Sequence, residues 1–166
     1  MIYRKALEHE AEQIMVIIRD AVKNMERVGV QQWNDTYPTL AIIEEDIRTQ
    51  TGYVLADESG IAAYVCVSES QPKEYADIKW EDVGGRCCVI HRLVVCVDRQ
   101  GQGLAKQLII AYEKQAKLDG YDSIRLDTYS KNPISMKLYP SMGYIPRGEV
   151  YFFHHMEEFP VFEKQL

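Results

Sequence analysis

The sequence has no long apolar run. None reaches the ~18 consecutive apolar residues that a membrane-spanning helix needs, so no membrane partner is expected. It has no basic excess either. Lys and Arg number 19 against 25 Asp and Glu, a formal charge of −6. A nucleic-acid binder carries a basic patch or stripe, so no nucleic-acid partner is expected. A net negative surface modestly favours cationic partners such as amines. Cysteine is sparse, four in 166 residues. Three of them (Cys87, Cys88 and Cys96) fall in one apparent strand, poor geometry for a disulfide framework. With Cys66 they read as reduced, packed thiols of a cytoplasmic protein. The opening Met1-Ile2-Tyr3-Arg4-Lys5 runs into charge-interrupted sequence and does not read as a signal peptide. Repeats, low-complexity tracts and a domain boundary are all lacking. At 166 residues, 46% hydrophobic and 27% charged, one domain over residues 1–166 is expected.

What is there centres on Gln100-Gly101-Gln102-Gly103-Leu104-Ala105. A long apolar run, Cys87 to Val97, precedes it, and an amphipathic run, Leu104 to Leu118, follows. This reads as strand, glycine turn, helix. The first N–H groups of a helix have no intrahelical acceptor, and the helix dipole adds partial positive charge there. Two glycines let a ligand approach the backbone, so a phosphate or pyrophosphate fits. A dinucleotide fingerprint would need glycine where Lys106 stands, and a P-loop would need Gly-Lys followed by Ser or Thr.

Elsewhere, Ile2 to Leu7 reads as a first strand. Glu8 to Arg27 reads as a helix whose stripe is Ile14, Ile17, Ile18, Ala21 and Met25, ended by Gly29. Leu40 to Thr49 reads as a second helix. Tyr53–Ala56 and Ile61–Val67 flank an Asp57-Glu58-Ser59-Gly60 turn as a hairpin. Ser68 to Gly85 is a connection too long for a simple turn. Arg86 to Asp98 is the long central strand, and Ser123 to Tyr129 is a strand parallel to it. Asn132-Pro133 starts a short helix that ends near Gly143. Tyr144 to His154 and Pro160 to Gln165 close the chain as strands.

The glycine stretch matches the Gln/Arg-x-x-Gly-x-Gly/Ala motif of the GNAT acyl-CoA N-acyltransferases. Asn132-Pro133-Ile134-Ser135-Met136-Lys137-Leu138-Tyr139-Pro140-Ser141-Met142-Gly143-Tyr144 is similar to that family's Asn-x-x-Ala-x-x-Leu-Tyr-x-x-x-Gly-Phe. Gln-Gln-Trp-x-x-x-Tyr-Pro, carrying Trp33 and Tyr37, resembles a pattern of many bacterial members. Two motifs in order, on the right elements, identify the chain as a GNAT-like protein over nearly its whole length. Gln100 stands where arginine is commoner, Val97 where proline is frequent, Ser135 for alanine and Tyr144 for phenylalanine. The resemblance implies an α/β (α+β) fold, with a mixed sheet of about six to seven strands flanked by about four helices.

It also implies an N-acetyltransferase that uses acetyl-CoA as co-substrate, needs no metal, and acetylates a small amine, an amino acid or a peptide amine by direct attack. The backbone of Gly101, Gln102, Gly103, Leu104 and Ala105, with Gln100, would cradle the pyrophosphate. Main-chain groups of Leu93, Val94 and Val95, at a bulge in the central strand, would pair with the pantetheine arm and polarise the thioester. Asn132 would cap the short helix and contact the cofactor together with Ser135. Tyr139 would be the general acid, because a phenol of pKa ~10 holds its proton at neutral pH. His91 shares a strand face with Leu93 and is the candidate base; a water chain ending on a carboxylate would serve as well. Trp33 and Tyr37 would wall the acceptor site or fill the gap between the first two helices. Cys87, Cys88 and His91 make a poor metal set, because adjacent strand residues point to opposite faces. His154-His155-Met156-Glu157-Glu158 lacks the helical zinc spacing. Two rival readings stay open: an acyl-CoA-binding module without turnover, and a transferase of another acyl group. The apolar final strands would suit a homodimer.

Overall fold

The computed structural model describes residues 1–152 and 155–166. Strand β1 (Ile2–Lys5) leads through a 3₁₀ turn, Glu8–Glu10, into helix α1 (Ala11–Arg27). Helix α2 (Leu40–Arg48) and strands β2 (Gly52–Asp57) and β3 (Gly60–Ser68) follow. Then come β4 (Cys87–Val95), α3 (Leu104–Leu118), β5 (Ser123–Asp127), α4 (Pro133–Ser141), β6 (Ile145–Val150) and β7 (Phe159–Gln165). Among the described residues the seven strands form one open mixed sheet, in the order β1-β2-β3-β4-β5-β7-β6. No helix among them is long and apolar enough to cross a membrane. The chain divides into two compact units, Met1–Val67 with Arg92–Ala111, and Ser68–His91 with Tyr112–Leu166.

In the first unit the predicted stripe of α1 is the core-facing one. Ile14, Ile17, Ile18 and Ala21 are buried, and Met25 packs against them part-buried. Ile43 and Ile47 of α2 join the same core with Val54, Tyr64 and Val94. Thr39 caps α2, its hydroxyl accepting the Ile42 N–H, which stabilises the helix start by about 1 kcal/mol. Strands β1 and β2 pair antiparallel from Ile2↔Ala56, and β2 and β3 pair antiparallel from Gly52↔Cys66. Gly52 is small for a reason: a β-carbon there would lie 3.0 Å from the Tyr64 ring. That close approach seats the Tyr64 hydroxyl against Asp46, donating to Oδ2 at 2.7 Å.

Strand β4 ends at Val95, three residues before the predicted Asp98. Val97–Arg99 winds into a 3₁₀ turn, with the Arg99 N–H on the Cys96 carbonyl at 2.9 Å. The Arg99 guanidinium holds both oxygens of Asp57, at 3.2 and 2.6 Å. A local turn closed by a charge pair from β2 thus overrides the apolar pattern that would have prolonged the strand.

In the second unit β4 and β5 run parallel, as predicted, from Cys87↔Ser123 to Ile90↔Leu126. β5 pairs antiparallel with β7, and β7 with β6, which has a register shift between Pro146 and Gly148. Cys88, Val89, Ile124, Leu126, Val161 and Phe162 are buried. The Ser68–Gly85 connection is tied down by polar contacts. Fully buried Glu163 accepts the Glu81 N–H at 2.8 Å and Arg125 Nε at 3.2 Å, and the Arg125 guanidinium lies 4.1 Å from the Trp80 ring centre. The predicted Tyr144–His154 strand spans Ile145–Val150, and its positions 153 and 154 lie outside the described residues, as does His154 of the dismissed zinc pattern. All four cysteines are free thiols.

Candidate active site

The first unit carries the glycine turn. Gly101 and Gly103 have φ of +77° and +74°. A side chain there costs about 1–2 kcal/mol in backbone strain. A β-carbon at either would meet nothing within 4 Å, so the space over the turn is open. The first helical hydrogen bond of this end runs from Gln107 N–H to the Gly103 carbonyl at 3.0 Å. The N–H groups of Leu104, Ala105 and Lys106 therefore precede any helical acceptor. An exposed turn, orphan donors and the positive end of a helix dipole fit a pyrophosphate. The Gln100 side-chain amide donates to the Val95 carbonyl at 3.4 Å. Leu93 and Val95 are half-buried and Val94 is buried.

Trp33 and Tyr37 separate in role. Trp33 packs against the core of the first unit. Tyr37 is 39% exposed, and its hydroxyl accepts from Arg92 Nη1 at 3.1 Å. Arg92 is in turn gripped by Asp46, Nε to Oδ2 at 3.1 Å and Nη2 to Oδ1 at 2.5 Å. Sequence reasoning missed this clamp. The available signal was Asp46 standing at i+3 from Ile43, on the buried side of α2.

The second unit carries the residues expected from the sequence to handle protons. Asn132 caps α4 as expected, its Oδ1 accepting the N–H of Ile134 (3.2 Å) and Ser135 (3.3 Å). Pro133 occupies the first helical turn. The Ser135 hydroxyl is committed internally, accepting from Thr128 Oγ1 at 2.7 Å and donating to the Asn132 carbonyl at 3.2 Å. Tyr139 is buried beside Tyr144 and Phe162, with ring centres at 5.9 and 6.1 Å. Burial, with the Asp127 carboxylate adding to it, pushes the Tyr139 phenol above its ordinary value, so it stays protonated at neutral pH. His91 is half-buried, its Nε2 hydrogen-bonded to Ser68 Oγ at 2.8 Å.

Asp127 ends β5, two residues before the predicted Tyr129, and accepts the Tyr75 hydroxyl at 2.7 Å. Burial pushes its carboxyl up to about 6, against the opposing Tyr75 hydrogen bond and with Glu74 adding repulsion. The unit also contains a hollow of about 510 Å³, lined by residues such as Lys79, Trp80, Asp82, Cys87 and Arg125. It lies at the start of β4, four residues or about 13 Å of strand before His91.

The chain matches the acetyltransferase (GNAT) family over residues 15–144. It is 29% identical over 143 residues to an L-methionine sulfoximine/L-methionine sulfone acetyltransferase of Pseudomonas aeruginosa, covering 82% of this chain and 76% of that protein. A GNAT-family acetyltransferase from Streptococcus agalactiae superposes with a TM-score of 0.85 at 24% identity, over 99% of this chain and 95% of the other. A Salmonella typhimurium acetyltransferase with its cofactor acetyl-CoA superposes at 0.71 and 16% identity, over 99% and 93%. The fold is thus a known one. The chain belongs to the GNAT family of acetyltransferases, enzymes that carry the acetyl group of acetyl-CoA to an amine.

Proposed function

We propose that this protein acts as one catalytic domain that acetylates the α-amino group of a small amino acid or amino-acid analogue, by direct attack in a ternary complex. The observation that carries the cofactor half is the glycine turn, with positive φ at Gly101 and Gly103 and open space above both. The acceptor half is supported by the relative that acetylates L-methionine sulfoximine and L-methionine sulfone. Acetyl-CoA supplies an acetyl group activated as a thioester. Backbone N–H groups from Gly101 to Ala105 bind its pyrophosphate, aided by the α3 dipole. Main-chain groups of Leu93, Val94 and Val95 hold the pantetheine arm and turn an N–H toward the carbonyl oxygen. Tyr139 holds its proton until a thiolate forms and then donates it. Asn132 and Ser135 fix the α4 start. His91, oriented by Ser68, hydrogen-bonds the acceptor nitrogen, and Tyr37, oriented by Arg92, lines the acceptor site.

The test is release of CoA thiol from acetyl-CoA with L-methionine sulfone, other amino acids, polyamines, aromatic amines and peptides. Turnover confined to free amino acids and their analogues supports the reading. Turnover confined to peptides or polyamines replaces the acceptor class. Acetyl-CoA binding without turnover across the panel favours the binding-module reading.

A further inference from the structure

A guanidinium has five N–H donors and no acceptor. Arg92 spends all but one of them inside the first unit. Nε and one Nη2 hydrogen go to the two oxygens of Asp46, at 3.1 and 2.5 Å. The other Nη2 hydrogen goes to Cys66 Sγ at 3.1 Å. One Nη1 hydrogen goes to the Tyr37 oxygen, also at 3.1 Å. The second Nη1 N–H has no acceptor among the described residues. Tyr37 stands in the same position. Its oxygen accepts from Arg92, so its own O–H points away from the guanidinium, and no described residue takes that proton. Accepting from a cation polarises the hydroxyl and makes it a better donor. Two unspent donors therefore stand side by side, where the Tyr37 ring reaches solvent.

The pair is held ready on both sides. Asn34 and Tyr37 exchange backbone hydrogen bonds at 3.1 and 3.2 Å, and Asn34 Oδ1 accepts the Thr36 N–H and hydroxyl at 2.8 and 2.7 Å. Trp33 packs into the core beside them. Asp46 is itself fixed by the Tyr64 hydroxyl at 2.7 Å. Neither donor has to be ordered when a ligand arrives, which removes one cost of binding.

Two adjacent donors suit the two oxygens of one planar group, the geometry of bidentate carboxylate recognition. Asp46 already balances the charge of Arg92, and the chain as a whole carries −6. A simple anion is therefore not drawn in from a distance. A carboxylate that brings its own ammonium arrives neutral overall and meets no such barrier. Arg92 also stands directly before Leu93, Val94 and Val95 on β4, the backbone that the proposed function gives to the pantetheine arm.

We infer that the Arg92 Nη1–H and the Tyr37 O–H bind the α-carboxylate of the acceptor and so select free amino acids and their analogues over simple amines. This deepens the proposed function and rests on it. Arg92 and Tyr37 touch the substrate, and Asp46 holds the guanidinium for them.

The first test needs no turnover. The ¹³Cζ resonance of Tyr37, identified by its loss in Tyr37→Phe, is followed in the complex with CoA. The probes are L-methionine sulfone, its carboxamide, and 3-(methylsulfonyl)propan-1-amine, which lacks the carboxyl group. All three keep the sulfone and the amine, so only the carboxylate differs. A saturable shift with the free acid, at a concentration about 10-fold or more below that needed by the other two, supports the inference. Equal response to the carboxamide overturns it, and so does an unmoved resonance with every free amino acid of the panel. The kinetic test compares kcat/KM for the acid and for the decarboxylated amine. Arg92 variants strand Asp46 and lose stability, so Tyr37→Phe carries this test. It should cut the preference for the acid about 10-fold or more, mainly through KM. An unchanged preference overturns the inference. If the wild type acetylates no amine, the proposed function fails, while the resonance titration still decides whether the pair holds a carboxylate.

Discussion

Replacing Asp46 by alanine tests the clamp that ties α2, β3, β4 and the Tyr37 segment together. Asp46 and Arg92 have side chains only 9% and 12% exposed. The substitution leaves a guanidinium buried without its carboxylate, and Tyr64 without the acceptor of its 2.7 Å hydrogen bond. Breaking one side of a buried pair costs about 3–5 kcal/mol, and a buried hydroxyl left unmatched about 1–3. The two overlap, because both arise from the same missing oxygens, so a loss of about 4 kcal/mol is expected. For a domain of this size that is a Tm drop of roughly 8–16 °C. Urea unfolding followed by circular dichroism reads it, with an unchanged m-value showing that only stability moved. The decisive form is a double-mutant cycle with Arg92→Met. The double variant should be more stable than the sum of the singles by about 2 kcal/mol, since no charge then remains stranded. A coupling within about 0.5 kcal/mol of zero would refute the clamp as an energetic unit.

Tyr139→Phe should lower kcat about 100-fold at neutral pH while leaving acetyl-CoA affinity by calorimetry near wild type, because only the donated proton is lost. Gly103→Ala should cost about 1–2 kcal/mol through its φ of +74° and weaken acetyl-CoA binding, with no steric clash to confuse the result. Acid stability should depend on Glu10. The Arg4 hydrogen bonds, chiefly, hold its carboxyl below the ordinary 4.5. A depressed carboxyl contributes stability that is present above its unfolded pKa and lost as pH falls through the folded one. The stability difference between wild type and Arg4→Met should therefore shrink as pH falls below about 4.5 in urea titrations.

The parts of the site legible in the sequence are those written in local backbone chemistry. A turn that needs φ near +75° demands glycine, so Gly101 and Gly103 announce it. A helix opened by Asn132-Pro133 announces its cap and first turn within two residues. The α1 stripe is legible because Ile14, Ile17, Ile18 and Ala21 repeat at the helical period. What was missed joins residues far apart in the chain. Asp46 and Arg92 are 46 positions apart, and Tyr75 and Asp127 are 52 apart. A charged residue alone gives no sign of a distant partner, and the default for a helix carboxylate or a strand-end aspartate is exposure to water. The end of β4 was missed for the same reason. The apolar run to Val97 favours strand, while the Arg99–Asp57 pair that supports the turn is invisible along the chain.

Strand β6 has a consequence beyond the site. It stands at the edge of the sheet, and it carries Pro146, a register shift before Gly148, and the guanidinium of Arg147 bound to Glu81 and Glu163. An open edge invites a second chain to add a strand, and from there a fibril can grow. Proline withholds a donor and the shift bends the ladder, so this edge is a poor template for addition. The protein should therefore tolerate high concentration without pairing through β6, and Pro146→Val should raise its tendency to aggregate.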